Sequence, residues 1–206
     1  MIALVDYGAG NLTSVKKAFA AIGAALFVPE TPADLDRAAA VVVPGVGHFG
    51  ATRALEGDWT SRILARLGEG RPLLGICLGM QWLFEGSAEA DAAGLGLLAG
   101  ACTRLDPRRA GAAAAPGSLK VPHVGWNALE LRRETPLVDG VPTGTQVYFT
   151  HSYAAPLTGD TVAVTEHGEP FASIVQRGQV AGVQFHPEKS GEAGLRILRN
   201  FVELAG

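Results

Sequence analysis

Cys77 stands in Gly75-Ile76-Cys77-Leu78-Gly79, a thiol version of the G-x-S-x-G nucleophile elbow. An apolar run, Pro72 to Ile76, precedes it and a helix-forming stretch, Leu78 to Phe84, follows. The spacing has a physical reason. A nucleophile on a sharp strand-to-helix turn sits in strained backbone, and flanking glycines remove the side chains that would collide there. At the start of a helix the thiol also meets the positive end of the dipole, which favours the reactive thiolate. The N–H of Leu78, the residue after the nucleophile, is then directed at an oxyanion. Cys102 lies in a run without these features and reads as a small buried apolar side chain.

A thiolate nucleophile needs a base, and the base needs an orienting group. Of the five histidines, His48, His123, His151, His167 and His186, the last follows the apolar run Val180 to Phe185, where a strand ends and α/β active sites gather. Pro187 stiffens the turn after it, so Glu188 is positioned to orient the ring and stabilise its charged form. An H-x-E also occurs in zinc deaminases, but no P-C-x-x-C follows and no ligand cluster accompanies it, so no metal is expected. Gly45-Val46-Gly47-His48-Phe49-Gly50 satisfies G-x-G-x-x-G. It follows the third apolar run rather than the first, and the next strand ends in the elbow rather than in an acid for a ribose, which counts against a dinucleotide. The remaining readings are a tight turn that presents N–H groups to an oxyanion and a tight turn alone.

These side chains need strands that end together. Ile2 to Asp6 reads as a strand, Asn11 as the N-cap of a helix with Leu12, Val15, Phe19 and Ile22 on its apolar face, and Gly23 as its stop. Ala40 to Val43 followed by Ala51 to Leu67, with Leu55, Ile63, Leu64 and Leu67 apolar, repeats the pattern, and Pro72 to Phe84 repeats it again. Three such units predict a mostly parallel sheet with helices on both faces. Runs at Gln146 to Thr150, Thr161 to Glu166, Phe171 to Gln176 and Gln179 to Phe185 predict antiparallel or mixed strands added to that sheet. Ser190 is expected to cap a closing helix that carries Leu195, Leu198 and Val202. The segment from about 107 to 117, with Pro107-Arg108-Arg109 and an alanine run, has no period and reads as a mobile loop.

The chain has 206 residues, 48% of them apolar, which suits one domain. Its 17 basic and 20 acidic residues leave a net charge of −3, against a partner bound by neutralising phosphates, so no nucleic acid is expected. No unbroken apolar stretch is long enough for a membrane span, no basic leader opens the chain, and two cysteines do not make a disulfide framework. A cytoplasmic protein is expected.

Gly75 to Gln81 together with Gly182 to Ser190 resembles the class I glutamine amidotransferases, the Cys-His-Glu glutaminases. Asp6 to Asn11, Pro44 to Gly47, Val121 to Asn127 and Tyr148 to Tyr153 are similar, more specifically, to the glutaminase subunits of imidazole glycerol phosphate synthases, and the likeness spans nearly the whole chain. The resemblance implies a flavodoxin-like α/β fold forming a single domain, no cofactor, and a triad of Cys77, His186 and Glu188. It implies an oxyanion hole from Leu78 and the Gly45-Val46-Gly47 loop, whose reorientation completes it, and glutamine held by Gln81, Glu89, Ser152 and Tyr153. It further implies a heterodimer with the cyclase (synthase) subunit, a (β/α)8 barrel of histidine biosynthesis, through a face at or near Asn11, His123, Trp126, Asn127 and Lys189. The 108 to 117 segment is longer and more basic than the family pattern. Glutaminases serving anthranilate, aminodeoxychorismate or pyridoxal phosphate synthesis are alternatives that Gly125-Trp126-Asn127 disfavours. A silent flavodoxin-like binding module is one that the intact triad disfavours.

Overall fold

The computed structural model describes residues 1–106 and 120–206, so the loop expected at about 107 to 117 lies outside the described residues. Its strands are β1 (Ile2–Leu4), β2 (Leu26–Phe27), β3 (Ala40–Val43), β4 (Leu73–Ile76), β5 (Gly86–Ser87), β6 (Ala90–Ala93) and β7 (Ala101–Arg104). They continue with β8 (His123–Ala128), β9 (Glu130–Leu131), β10 (Gln146–His151), β11 (Tyr153–Ala154), β12 (Thr161–Glu166), β13 (Pro170–Arg177) and β14 (Val180–Val183). The α-helices are α1 (Leu12–Ala21), α2 (Asp58–Gly68), α3 (Leu78–Trp82) and α4 (Gly191–Leu204).

Eight strands form the central sheet in the order β2-β1-β3-β4-β14-β13-β12-β9. The first five are parallel and the last three antiparallel, as the alternation of strands and helices predicts. Successive side chains of a strand point to opposite faces, and here both faces are dry. Ile2, Leu4, Val42, Leu74, Ile76 and Val183 pack with Val15 and Phe19 of α1 and Ile197, Leu198 and Phe201 of α4. Ala3, Val41, Val43 and Leu73 pack on the other side with Ile63 of α2 and Met80 and Trp82. The strands therefore read as continuous apolar runs, and their carboxyl ends converge on the elbow.

Asn11 caps α1 as expected, its Oδ1 accepting from the Ser14 N–H at 3.2 Å. Three expectations need correction. The stretch from Ala51 to Leu67 is not one helix. Gly57 takes φ +69° and separates a 3₁₀ turn, Phe49–Leu55, from α2, leaving Leu64 exposed while Leu55 and Ile63 are buried. Gln146 to Thr150 does not join the central sheet. It pairs as β10 with β8 in a separate antiparallel ribbon, because its outer polar groups are met by the 186–190 turn: the Tyr148 carbonyl accepts from the His186 N–H at 2.9 Å. Ser190 stands at the N-cap of α4, yet its hydroxyl caps nothing there; it donates to the His186 carbonyl at 2.7 Å and accepts from the Tyr148 N–H at 2.9 Å.

Candidate active site

β4 ends at Ile76 and the chain turns at Cys77 with φ +54° and ψ −107°, the one positive φ on a non-glycine among the described residues. Strain of this kind persists only where the surroundings dictate it. The Cys77 N–H donates to the Val183 carbonyl at 2.8 Å, and the Gln81 N–H donates to the Cys77 carbonyl at 3.1 Å. A Cβ on Gly75 would come within 2.5 Å of the Gly79 carbonyl oxygen, and one on Gly79 would collide with the Val43 carbonyl. The glycines let β4, α3 and β3 close on one another and leave the thiol nowhere to go but up. Because α3 has only five residues, its dipole is short, and side chains supply most of the thiol's environment.

The neighbouring strand supplies them. His186, just past β14, donates from Nδ1 to Glu188 Oε1 at 2.8 Å, with both side chains almost wholly buried. A carboxylate can only accept, so the proton of this bond sits on Nδ1. Nε2 is buried without a hydrogen-bond partner, leaving it free to carry a proton to and from substrate. Burial disfavours the imidazolium, but the side chains of Cys77 and Glu188 outweigh it and raise His186 to about 9. Gln184, fully buried, completes the surroundings: its Nε2 donates to Cys77 Sγ at 3.7 Å and its Oε1 accepts from Gln81 Nε2 at 3.1 Å. Sequence reasoning passed over Gln184. The signal available was a polar residue in an otherwise apolar run, two positions before the histidine and so on the same side of the extended chain.

The cleft above the thiol, about 300 Å³, is lined by Cys77, Leu78, Gln81, Glu89, Ser152 and Tyr153, with Gly47 of the glycine loop at its edge. All four residues expected to hold glutamine are thus brought together. Glu89 is no solvated surface acid, since its Oε2 accepts from the Phe49 N–H at 2.7 Å. Gln81 donates to the Tyr153 carbonyl at 2.8 Å as well as to Gln184. The Gly45-Val46-Gly47 loop leads into a 3₁₀ turn rather than an α-helix, so it lacks the helix that a dinucleotide fingerprint requires. Two of the N–H groups expected to face an oxyanion, those of Leu78 and Val46, are occupied. The Leu78 N–H donates to the Gly45 carbonyl at 3.3 Å and the Val46 N–H donates to the Ala9 carbonyl at 3.1 Å.

Beside the cleft, Trp126 is 57% exposed and meets Tyr148 edge to face at 6.0 Å, and the Lys189 ammonium lies 5.7 Å from the Tyr148 ring. Asn11 heads α1, which packs against the 187–189 turn. Asn127 Nδ2 donates to the Glu166 carbonyl at 2.9 Å and lies 3.3 Å from His123 Nε2. His123 is buried beneath this face rather than on it. Its ring stacks on Phe149 at 4.8 Å and on His167 at 4.0 Å, and its Nδ1 lies 3.2 Å from His151 Nε2. Burial lowers His123 to about 4 and His151 to about 3, so both are neutral packing groups. Cys102 is buried and its thiol is pushed up by burial and by Glu89, in keeping with a packing role. Among the described residues no three His, Cys, Asp or Glu side chains gather to hold a metal, and no helix is long and apolar enough to cross a membrane.

A mostly parallel sheet that lifts a strained cysteine beside a buried His–Glu pair defines an α/β fold built around a buried thiol. The chain belongs to the class I glutamine amidotransferases: the family model described as glutamine amidotransferase class-I matches residues 3–204. It is 47% identical over 98% of its length to 97% of the imidazole glycerol phosphate synthase subunit HisH of Xylella fastidiosa. It is 47% identical over 98% of its length to 92% of the HisH subunit of Halobacterium salinarum. A crystal structure of a glutamine amidotransferase superposes over all of both chains with a TM-score of 0.73 at 22% identity, a likeness of fold.

Proposed function

We propose that the chain hydrolyses glutamine to glutamate and ammonia and passes the ammonia to the synthase subunit of imidazole glycerol phosphate synthase, with which it forms a heterodimer in the cytoplasm. Residues 1–206 act as one glutaminase domain. The observation that carries this reading is the convergence of Cys77, the His186–Glu188 pair, Gln81 and Glu89 on one amino-acid-sized cleft. The pathway is supported by the near full-length identity to HisH subunits.

The Cys77 thiol passes its proton to His186 Nε2 and Sγ attacks the side-chain amide carbon of glutamine, the carbonyl electrons moving to oxygen. As those electrons return the C–N bond breaks, and His186 Nε2 gives that proton to the departing nitrogen, which leaves as ammonia. Water attacks the resulting thioester, His186 takes the proton, and glutamate leaves as the thiol is restored. Glu188 holds the imidazole in the tautomer that presents Nε2 and stabilises its charge. Gln81 and Glu89, with Ser152 and Tyr153, hold the amino-acid end of the substrate. Leu78 and Val46 supply the oxyanion donors. Both are occupied by carbonyls in the resting chain, and a missing donor costs about 10²–10³ in rate, so low activity without the partner follows. Ammonia set free in neutral water is protonated and no longer nucleophilic, hence the value of a docked acceptor. Trp126, Lys189, Asn11 and Asn127 form the docking face, with His123 supporting it from below.

Glutamate release tests the reading. It is expected to be slow for the chain alone, to rise when the barrel subunit and its phosphoribulosyl formimino ribonucleotide are added, and to fall by on the order of 10⁵-fold in Cys77→Ala. Cys77→Ala turning over at the wild-type rate would rule out the thiol as nucleophile.

A further inference from the structure

Tyr7 follows β1 and lies at the back of the glycine loop. Its hydroxyl is buried and has no hydrogen-bond partner. It rests against the side of Gly45 where a side chain would stand, so a methyl group there would collide with the hydroxyl and come within 2.8 Å of Leu78 Cβ. A buried hydroxyl without a partner destabilises the conformation that contains it, and such a group calls for an explanation. Burial and the nearby Cys77 push the phenol above its ordinary range, so the hydroxyl keeps its proton and remains a donor.

We propose that Tyr7 is a positioning residue for the oxyanion loop, its O–H receiving the Gly45 carbonyl when that carbonyl leaves the Leu78 N–H. The assignment rests on the glutaminase reading above. Rotation of the 45–46 peptide would release two donors to the substrate oxygen, those of Leu78 and Val46. It would also turn the Gly45 carbonyl toward the region of the Ala9 carbonyl, which until then accepted from Val46. Two carbonyl oxygens facing each other repel. A hydroxyl beside Gly45 relieves that conflict by donating, so it is idle in the resting arrangement and engaged in the competent one. No residue other than glycine fits at 45 without displacing it.

Tyr7→Phe keeps the ring and removes only the hydroxyl. In the complex with the barrel subunit and its ribonucleotide, kcat for glutamine hydrolysis is expected to fall roughly tenfold, the scale of one hydrogen bond, with KM within about twofold. Alkylation of Cys77 by iodoacetamide, which forms no oxyanion, is expected to keep its rate. The melting temperature of the full chain is expected to hold or rise, by up to about 2–4 °C, because the unpartnered hydroxyl is gone. Equal kcat in the variant and an active wild type overturns the Tyr7 role alone. A parallel fall in kcat, alkylation rate and melting temperature also overturns it, as that is the signature of a merely structural tyrosine. No glutamate from the wild-type complex overturns the glutaminase reading and the Tyr7 role with it.

Discussion

Two segments approach the same thiol from opposite sides and are held in different ways. The 186–190 turn is fastened at three points: Nδ1 to Glu188 at 2.8 Å, the His186 N–H to the Tyr148 carbonyl, and the His186 carbonyl to the Ser190 hydroxyl. The 45–47 loop is fastened by two single backbone bonds, 3.3 Å and 3.1 Å long, each of which uses a donor that catalysis would require, and it leaves the Tyr7 hydroxyl without a partner. In the proposed mechanism, nucleophile and base are thus complete in the resting chain, while the oxyanion hole is not. The contrast separates chemistry that is built in from chemistry that is switched.

With the thiol left in place, the built-in side is broken through Glu188. Glu188→Gln keeps the shape but lets the ring choose the wrong tautomer, and stimulated glutamate release is expected to fall by about 10³–10⁴. The same change removes a carboxylate that favours the imidazolium, so the His186 titration, followed by NMR, moves down from about 9. The switched side is broken by Gly45→Ala, whose methyl group meets the Tyr7 hydroxyl and Leu78. Here stimulated kcat is expected to drop by about 10²–10³ while Cys77 alkylation persists. Loss of both readouts together would show that the loop and the triad are one unit, and the contrast would fail.

The smallest effect concerns stability. His186 binds its proton more tightly folded, at about 9, than unfolded, at about 6.5. Its contribution is therefore fully present below pH 6.5 and is lost as pH rises toward 9. Urea midpoints are expected to decline over that window in the wild type and to decline less in Glu188→Gln. An identical slope in the two proteins would detach the pH dependence from this pair.

The convergence of Cys77, His186 and Glu188 was legible because each stands at a place that backbone physics marks: a glycine-flanked turn, a strand end and a proline-stiffened turn. Four of the five parallel strands, β1, β3, β4 and β14, were legible because, buried on both faces, they are unbroken apolar runs, whereas β2 is two half-buried residues with no such signal. Other features depend on partners remote in sequence. Which way the Gly45 carbonyl faces is set by Leu78 and Ala9, and no residue type encodes a peptide orientation. Ser190 has the right identity and place for a cap, but the bonds to His186 and Tyr148 win its hydroxyl. Gln146 to Thr150 alternates like any edge strand, and nothing local says that its neighbour is a turn instead of the sheet. Gln184 was hidden by the apolar residues around it.

That Ser190 hydroxyl has a mechanical meaning as well. It ties the carbonyl of the base to the backbone of the residue whose ring carries Trp126 and Lys189 on the outer face. The outer ribbon and the His186 imidazole are thus two ends of a short lever held at two places, this hydroxyl and the bond from the His186 N–H to the Tyr148 carbonyl. Ribbon and ring are joined by this short path directly, without a detour through the sheet.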